Sequence, residues 1–290
     1  MTLIIGAKCD EGIVLVGDTK VVDVERNIIT HEPKILLPLP LPVAVGASGF
    51  TNLFRQFNRR IPIIVEQRDR EYKIKNEEAL NKIGLGLKDF EMPKQEPELI
   101  QSSEDLKEPP RIEKAKKDVI KIPYIYTGEH FLQDCKLLIK EIGEEGKEYH
   151  PNPLEVLLSF TVGTPVLFHI NCDGLESEIN SYVAIGSGTP YVDMFFSRLW
   201  KKRTLMDTIA LASFVIKFIE NIKLDNYVGV AEEEMPQVIV LLKNGRYGPL
   251  DFSNKPDFLK DIVIKIENIE KTVKNINFIS LELGKEYKIE

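Results

Sequence analysis

The sequence predicts an α+β fold, a four-layer αββα sandwich with two packed sheets between two helical layers. Two observations carry this. Apolar patterns follow one another along the 290 residues in the order strands, helices, strands, helices, strands. The strand-like runs are short, β-rich and bounded by Gly, Pro or Asp turns. With 43% hydrophobic residues the chain can fill a sizeable core.

The first strands read as a hairpin: Leu3-Ile4-Ile5-Gly6-Ala7-Lys8, the polar turn Cys9-Asp10-Glu11-Gly12, then Ile13-Val14-Leu15-Val16-Gly17, with Asp18 at its end. Pro33-Lys34-Ile35-Leu36-Leu37 reads as a third strand. Pro38, Pro40 and Pro42 follow in alternation, and since Pro cannot pair on both sides this is a turn or an edge connection. After Val45-Gly46-Ala47-Ser48-Gly49, the residues Phe50, Leu53, Phe54, Phe57 and Ile61 keep helical spacing, and Pro62 is expected to end that helix. Residues 66–118 are dense in Lys and Glu and contain Pro93, Pro97, Pro109 and Pro110. Apart from a possible helix over Glu77 to Phe90, they read as a charged, exposed or flexible insertion between the first two helices.

A second helix is expected over 129–142, on Phe131, Leu132, Cys135, Leu138, Ile139 and Ile142. Phe160 to Asn171 and Ser181 to Ile185 read as strands joined through Cys172-Asp173-Gly174. Helices over 190–200 and 205–222 follow, the second opened by Thr204 with Asp207 three residues on, a capping-box arrangement. Gln237 to Leu242 is a strand, Lys260 to Val273 a helix and Asn277 to Leu283 a closing strand. Residues 1–250 are therefore read as one domain interrupted by the insertion, and 251–290 as an extension packed on it. No internal repeat is visible.

Composition narrows the function. The net charge is −7 with no clustered Lys/Arg stripe, which argues against nucleic acid. No apolar run approaches the ~20 residues that cross a bilayer, and the first strand has no basic leader. Cys9, Cys135 and Cys172 lack metal-ligand spacing and read as reduced, half-buried thiols. The expectation is a cytoplasmic protein with no metal and no cofactor.

Thr2 carries the sharpest chemical signal. Removal of Met1 would leave its α-amino group, which ordinarily titrates at ~8, beside its own hydroxyl, so that nucleophile and base sit in one residue. Such chemistry needs a cation to favour the ionised hydroxyl and a carboxylate to hold that cation. Asp18 lies 16 residues after Thr2 and Lys34 lies 32 after it. Each of the three also has a plain structural reading, as a first strand, a strand end and a solvated edge charge.

In this spacing the chain resembles the β subunits of the proteasome, members of the N-terminal nucleophile hydrolase superfamily. Thr2, Asp18 and Lys34 match that pattern, as do Val45-Gly46-Ala47-Ser48-Gly49, Ile185-Gly186-Ser187-Gly188-Thr189-Pro190-Tyr191 and Leu224-Asp225-Asn226-Tyr227-Val228-Gly229 before the strand from Gln237. One position departs: Val228 stands where the family has Ser. The resemblance implies a threonine peptidase or amidohydrolase acting on a peptide or protein through an acyl-enzyme on Thr2. It further implies Gly46 N–H as an oxyanion donor on a loop, and Ser187 and Asp225 as hydrogen-bonding partners of the α-amine. Gly46 and Gly49 read equally as a helix entry, Ser187 as an N-cap, and Asp225 as a turn residue. A peptide ligase using the same acyl-enzyme, and a non-catalytic assembly protein, are the alternative functions. Because an insertion of this size would project from a helical face or cover the active-site end, a monomer or small homo-oligomer is expected rather than a stacked ring.

Overall fold

Leu3–Lys8 (β1) and Gly12–Gly17 (β2) form the expected hairpin, turned by a 2.7 Å bond from the Cys9 N–H to the Gly12 carbonyl. The fold is that of a computed structural model, which describes residues 2–23, 28–38, 42–82, 126–148, 153–201, 203–231, 234–250 and 256–276. Both strands are buried on both faces. Leu3, Ile5, Ala7, Val14 and Val16 face a core shared with helices, whereas Ile4, Ile13 and Leu15 face a core between two sheets. That double burial explains why the runs are continuously apolar rather than alternating.

Next come Lys20–Asp23 (β3) and Ile28–His31 (β4), paired as a separate antiparallel hairpin, then Ile35–Leu36 (β5) and Val43–Gly49 (β6). Thr51–Lys82 (α1) and Gly128–Gly146 (α2) follow. Leu154–Val162 (β7), Thr164–Ile170 (β8), Glu176–Glu178 (β9) and Tyr182–Gly186 (β10) lead into Thr189–Leu199 (α3) and Leu205–Asn221 (α4). Gln237–Leu242 (β11), Tyr247–Pro249 (β12) and Pro256–Ile276 (α5) complete the described chain. The result is a mixed α+β fold with two five-stranded antiparallel sheets, ordered β10-β1-β2-β11-β12 and β5-β6-β7-β8-β9.

Three cores hold these elements. α1 and α2 bury Phe57, Ile61, Phe131 and Ile139 against Val43, Val45, Val156 and Phe160 of the second sheet. α3, α4 and α5 bury Phe195, Ile209, Val215 and Ile262 against the first. Ile4, Leu15, Ala44, Leu157, Leu167 and Ile239 meet between the sheets. Each large apolar side chain so buried contributes roughly 1.5–3 kcal/mol. The Thr204 hydroxyl accepts from the Asp207 N–H at 3.2 Å and caps α4 as its sequence suggests.

Several elements differ from the sequence reading. α1 does not stop at Pro62 but runs on to Lys82, because Phe57, Ile61 and Val65 continue one buried stripe past it. An internal Pro costs ~3 kcal/mol, which that burial exceeds. Residues 66–82 are thus helix rather than loop, and their charge pairs on its surface as Glu66–Arg70 and Asp69–Lys73. The run Phe160 to Asn171 is two strands, folded back at Gly163, whose φ of +68° suits glycine. The rest of the insertion, 83–118, and the strand expected over Asn277 to Leu283 lie outside the described residues.

Candidate active site

Thr2 enters β1 at the end of the first sheet where β2 and β10 also finish. It is 4% exposed. Gly186, opposite the next residue Leu3, has φ +99°, and a Cβ there would stand 1.8 Å from the Thr2 carbonyl oxygen and 2.7 Å from Ser48 Oγ. Only glycine lets the two backbones approach this closely.

Asp18, the residue after β2, turns its carboxylate back across this end. Oδ1 accepts the Leu3 N–H at 2.7 Å and Oδ2 the Gly229 N–H at 3.3 Å. Lys34, just before β5, donates to Asp18 Oδ1 at 2.9 Å and Oδ2 at 2.8 Å and to the Lys20 carbonyl. These acceptors account for its three ammonium protons. The pair is sealed from solvent, Lys34 at 1% and Asp18 at 0% exposure.

Burial pulls the Lys34 ammonium below the usual lysine range, against the attraction of Asp18 and, more weakly, of Asp225 and Glu32. The same burial pushes the Asp18 carboxyl up, against Lys34 and the N–H groups of Leu3 and Gly229. A cation held in so dry a place favours charge developing on a neighbouring hydroxyl far more than it would in water.

The remaining sequence candidates fall around this pair in different ways. Ser187 follows β10, and its buried Oγ has no hydrogen-bond partner among the described residues. It does not cap α3, whose N-cap is Gly188. Asp225 does close a turn: its Oδ1 accepts the Tyr227 N–H at 2.8 Å and its carbonyl the Val228 N–H at 3.3 Å. The Val228 side chain is wholly buried in the helix-side core. The turn presents Gly229, whose carbonyl takes the Thr19 and Lys20 N–H groups at 3.0 Å. Glu220 of α4 braces it through the Val230 N–H, 3.3 Å from each carboxylate oxygen.

Gly46 is not on a loop. It sits within β6, opposite Ile35 and Leu157, with Ile4 Cδ1 2.9 Å from where a Cβ would be. Ala47 points its N–H to the Lys34 carbonyl on the β5 side, at 3.4 Å. Successive N–H groups of a strand alternate, so that of Gly46 points to β7 and is taken up by the ladder. The Ala47 N–H is the ladder donor on the Lys34 side. Sequence reasoning also passed over Ser48, a buried polar residue on the inter-sheet face of β6, at 4% exposure. A hydroxyl inside an otherwise apolar strand was the available signal.

No known protein family matches the chain, and no curated protein does. Solved structures do. One is a Gly-1 mutant of Anbu from Hyphomicrobium sp. strain MC1, at 13% identity over 100% of both chains with a TM-score of 0.53. Another is Anbu, an ancestral beta-subunit, from Yersinia bercovieri, at 13% identity over 99% of this chain and 100% of that one, with a TM-score of 0.54. At such identity the likeness shows a proteasome-like fold and nothing finer. It also corrects the family resemblance: the Anbu proteins are proteasome-like but distinct from the proteasome β subunits that the Thr2, Asp18 and Lys34 spacing suggested.

Proposed function

We propose that the chain is a threonine-type N-terminal nucleophile amidohydrolase or peptidase, on a four-layer αββα frame, with Thr2 as the nucleophile once it is the first residue. The observation that carries this reading is the sealed Lys34–Asp18 pair, bonded to the backbone one residue from Thr2. Buried ion pairs are weak contributors to stability, since apolar residues of equal volume serve as well. Asp18, whose carboxylate also takes the Leu3 N–H, therefore has a better explanation in chemistry than in folding.

In this mechanism the Thr2 α-amine takes the hydroxyl proton as Oγ attacks the carbonyl carbon of an amide. Lys34 stabilises the developing negative charge through its field, and Asp18 holds the ammonium in place. Collapse of the tetrahedral species breaks the C–N bond, and the ammonium of Thr2 returns its proton to the leaving amine. Water then cleaves the ester by the reverse sequence. Ser187 Oγ, buried without a partner among the described residues, is the group left to hydrogen-bond the α-amine or its water. Asp225 acts on Lys34 by charge while its side chain holds the turn. The substrate is a peptide or protein segment.

The test is mass spectrometry of the purified protein after reaction with a β-lactone. Acylation should fall on Thr2 as N-terminal residue, and Thr2→Ala should abolish both labelling and amide turnover while the fold persists. Wild-type turnover in Thr2→Ala would sink the reading.

A further inference from the structure

Gln237, the first residue of β11, pairs with Gly17, the residue immediately before Asp18. Its side chain leaves that sheet and crosses to the other. Oε1 accepts the N–H groups of both Lys34 and Ile35 at 2.9 Å, and Nε2 donates to the Ile35 carbonyl at 2.7 Å.

The register explains why the Ile35 groups are available. Ala47 N–H bonds the Lys34 carbonyl, so Ile35 and Gly46 form a non-hydrogen-bonded pair. The N–H and C=O of Ile35 therefore point away from β6, off the outer edge of the second sheet, where among the described residues β5 has no further strand beside it. A carboxamide carries a donor and an acceptor at nearly the spacing of a peptide group. Gln237 thus supplies, from one side chain, the partner that another strand would have supplied.

We infer that Gln237 is a positioning residue, which ties the backbone of Lys34 to the strand pair carrying Asp18 and so holds the Lys34 ammonium on its carboxylate. β5 is only two residues long and lies against β6 only at Ile35 and Leu36. Without the amide, little else would set the height of Lys34 along the sandwich. A misplacement on the order of 1 Å in such a site costs ~100-fold in rate. Asp18 reaches Thr2's neighbour Leu3 from one side of this tie, and Lys34 reaches Asp18 from the other. The inference rests on the Thr2 reading above for its catalytic consequence, and on the hydrogen bonds alone for its geometry.

Two variants test it. Gln237→Met keeps the length and apolar volume but removes all three bonds; Gln237→Glu keeps an acceptor for the Lys34 and Ile35 N–H groups. Acylation of Thr2 by a β-lactone is followed over a concentration and pH series at a temperature well below unfolding. For Gln237→Met the limiting rate should fall ~10- to 100-fold with the half-saturating concentration unchanged. Its pH profile should move to higher pH, since a displaced Lys34 no longer disfavours protonation of the Thr2 amine. Gln237→Glu should recover most of the rate. An unchanged limiting rate and profile in Gln237→Met, with only a lower Tm, would make the clamp purely structural and overturn the proposal. A loss confined to half-saturation would also overturn it, because Gln237 would then act on the ligand. Should Gln237→Met fail to fold, Gln237→Glu decides: a retained rate supports the tie and a rate as low as that of Lys34→Met refutes it. If wild-type Thr2 is not acylated at all, the proposed function fails on its own account. The clamp is then judged by NMR titration of Lys34 in Gln237→Met, where a shift in either direction supports it and no change refutes it.

Discussion

Lys34 and Asp18 answer to each other, and removing one exposes the other. Lys34→Met would leave a carboxylate at 0% exposure without its cation, a change that costs about 3–5 kcal/mol. The pH dependence has a definite sign. Asp18 already has a carboxyl pKa raised above 3.8 by burial, and loss of Lys34 raises it further. Between 3.8 and that raised value the native state binds the extra proton, so stability is present on the acid side and is lost as pH rises through the window. Urea midpoints of Lys34→Met should therefore fall more steeply than those of the wild type as the pH rises above the ordinary carboxylate range. A parallel pair of curves would mean the carboxylate finds another partner. The Thr2, Asp18 and Lys34 set was legible in the sequence because each lies at the end of an apolar run whose strand pairing is local. Gln237 was not, since its bonding partners are 203 and 202 residues away and its own run reads as an ordinary strand.

Among the elements, α1 shows where local rules mislead. Pro62 is a sound stop signal by itself, yet the buried stripe Phe57, Ile61 and Val65 on either side of it decides the outcome. Pro62 is exposed and interior to the helix, so Pro62→Ala should restore one backbone bond and stabilise the protein by about 1–3 kcal/mol. A denaturation midpoint unchanged or lowered would show that the ring packs usefully where it stands. The β3–β4 hairpin was missed for the opposite reason: its residues are weakly patterned, and Ile28 and Ile29 lie 48% and 59% exposed. Gly46 was misplaced because a glycine in an apolar run suggests a loop, whereas here its missing side chain makes room for Ile4 between the sheets.

For the whole molecule, the order of strands and helices was enough to foresee a mixed α+β fold with antiparallel sheets, since each apolar run reports the element it forms. Assembly is a separate matter. The latter part of α1 carries Arg68, paired with Glu71 and with Asp134 of α2, beside the Glu66–Arg70 and Asp69–Lys73 pairs. Charged residues are depleted from the cores of subunit interfaces, so a face of this kind favours solvent over stacking. Light scattering should accordingly give a monomer or small homo-oligomer, and a closed ring of many copies would refute this.

Cys9, Cys135 and Cys172 are all buried, and burial raises each thiol, that of Cys9 to about 12. Thiolate is the form that reacts with electrophiles, and at neutral pH none of the three would hold an appreciable share of it. An acylating or alkylating probe added to the folded protein therefore meets no competing sulfur, so the hydroxyl of Thr2 can be titrated by simple mass gain. One adduct per chain, with iodoacetamide inert until urea is added, is the expected readout; thiol modification of the native protein would show that one of these side chains reaches the surface.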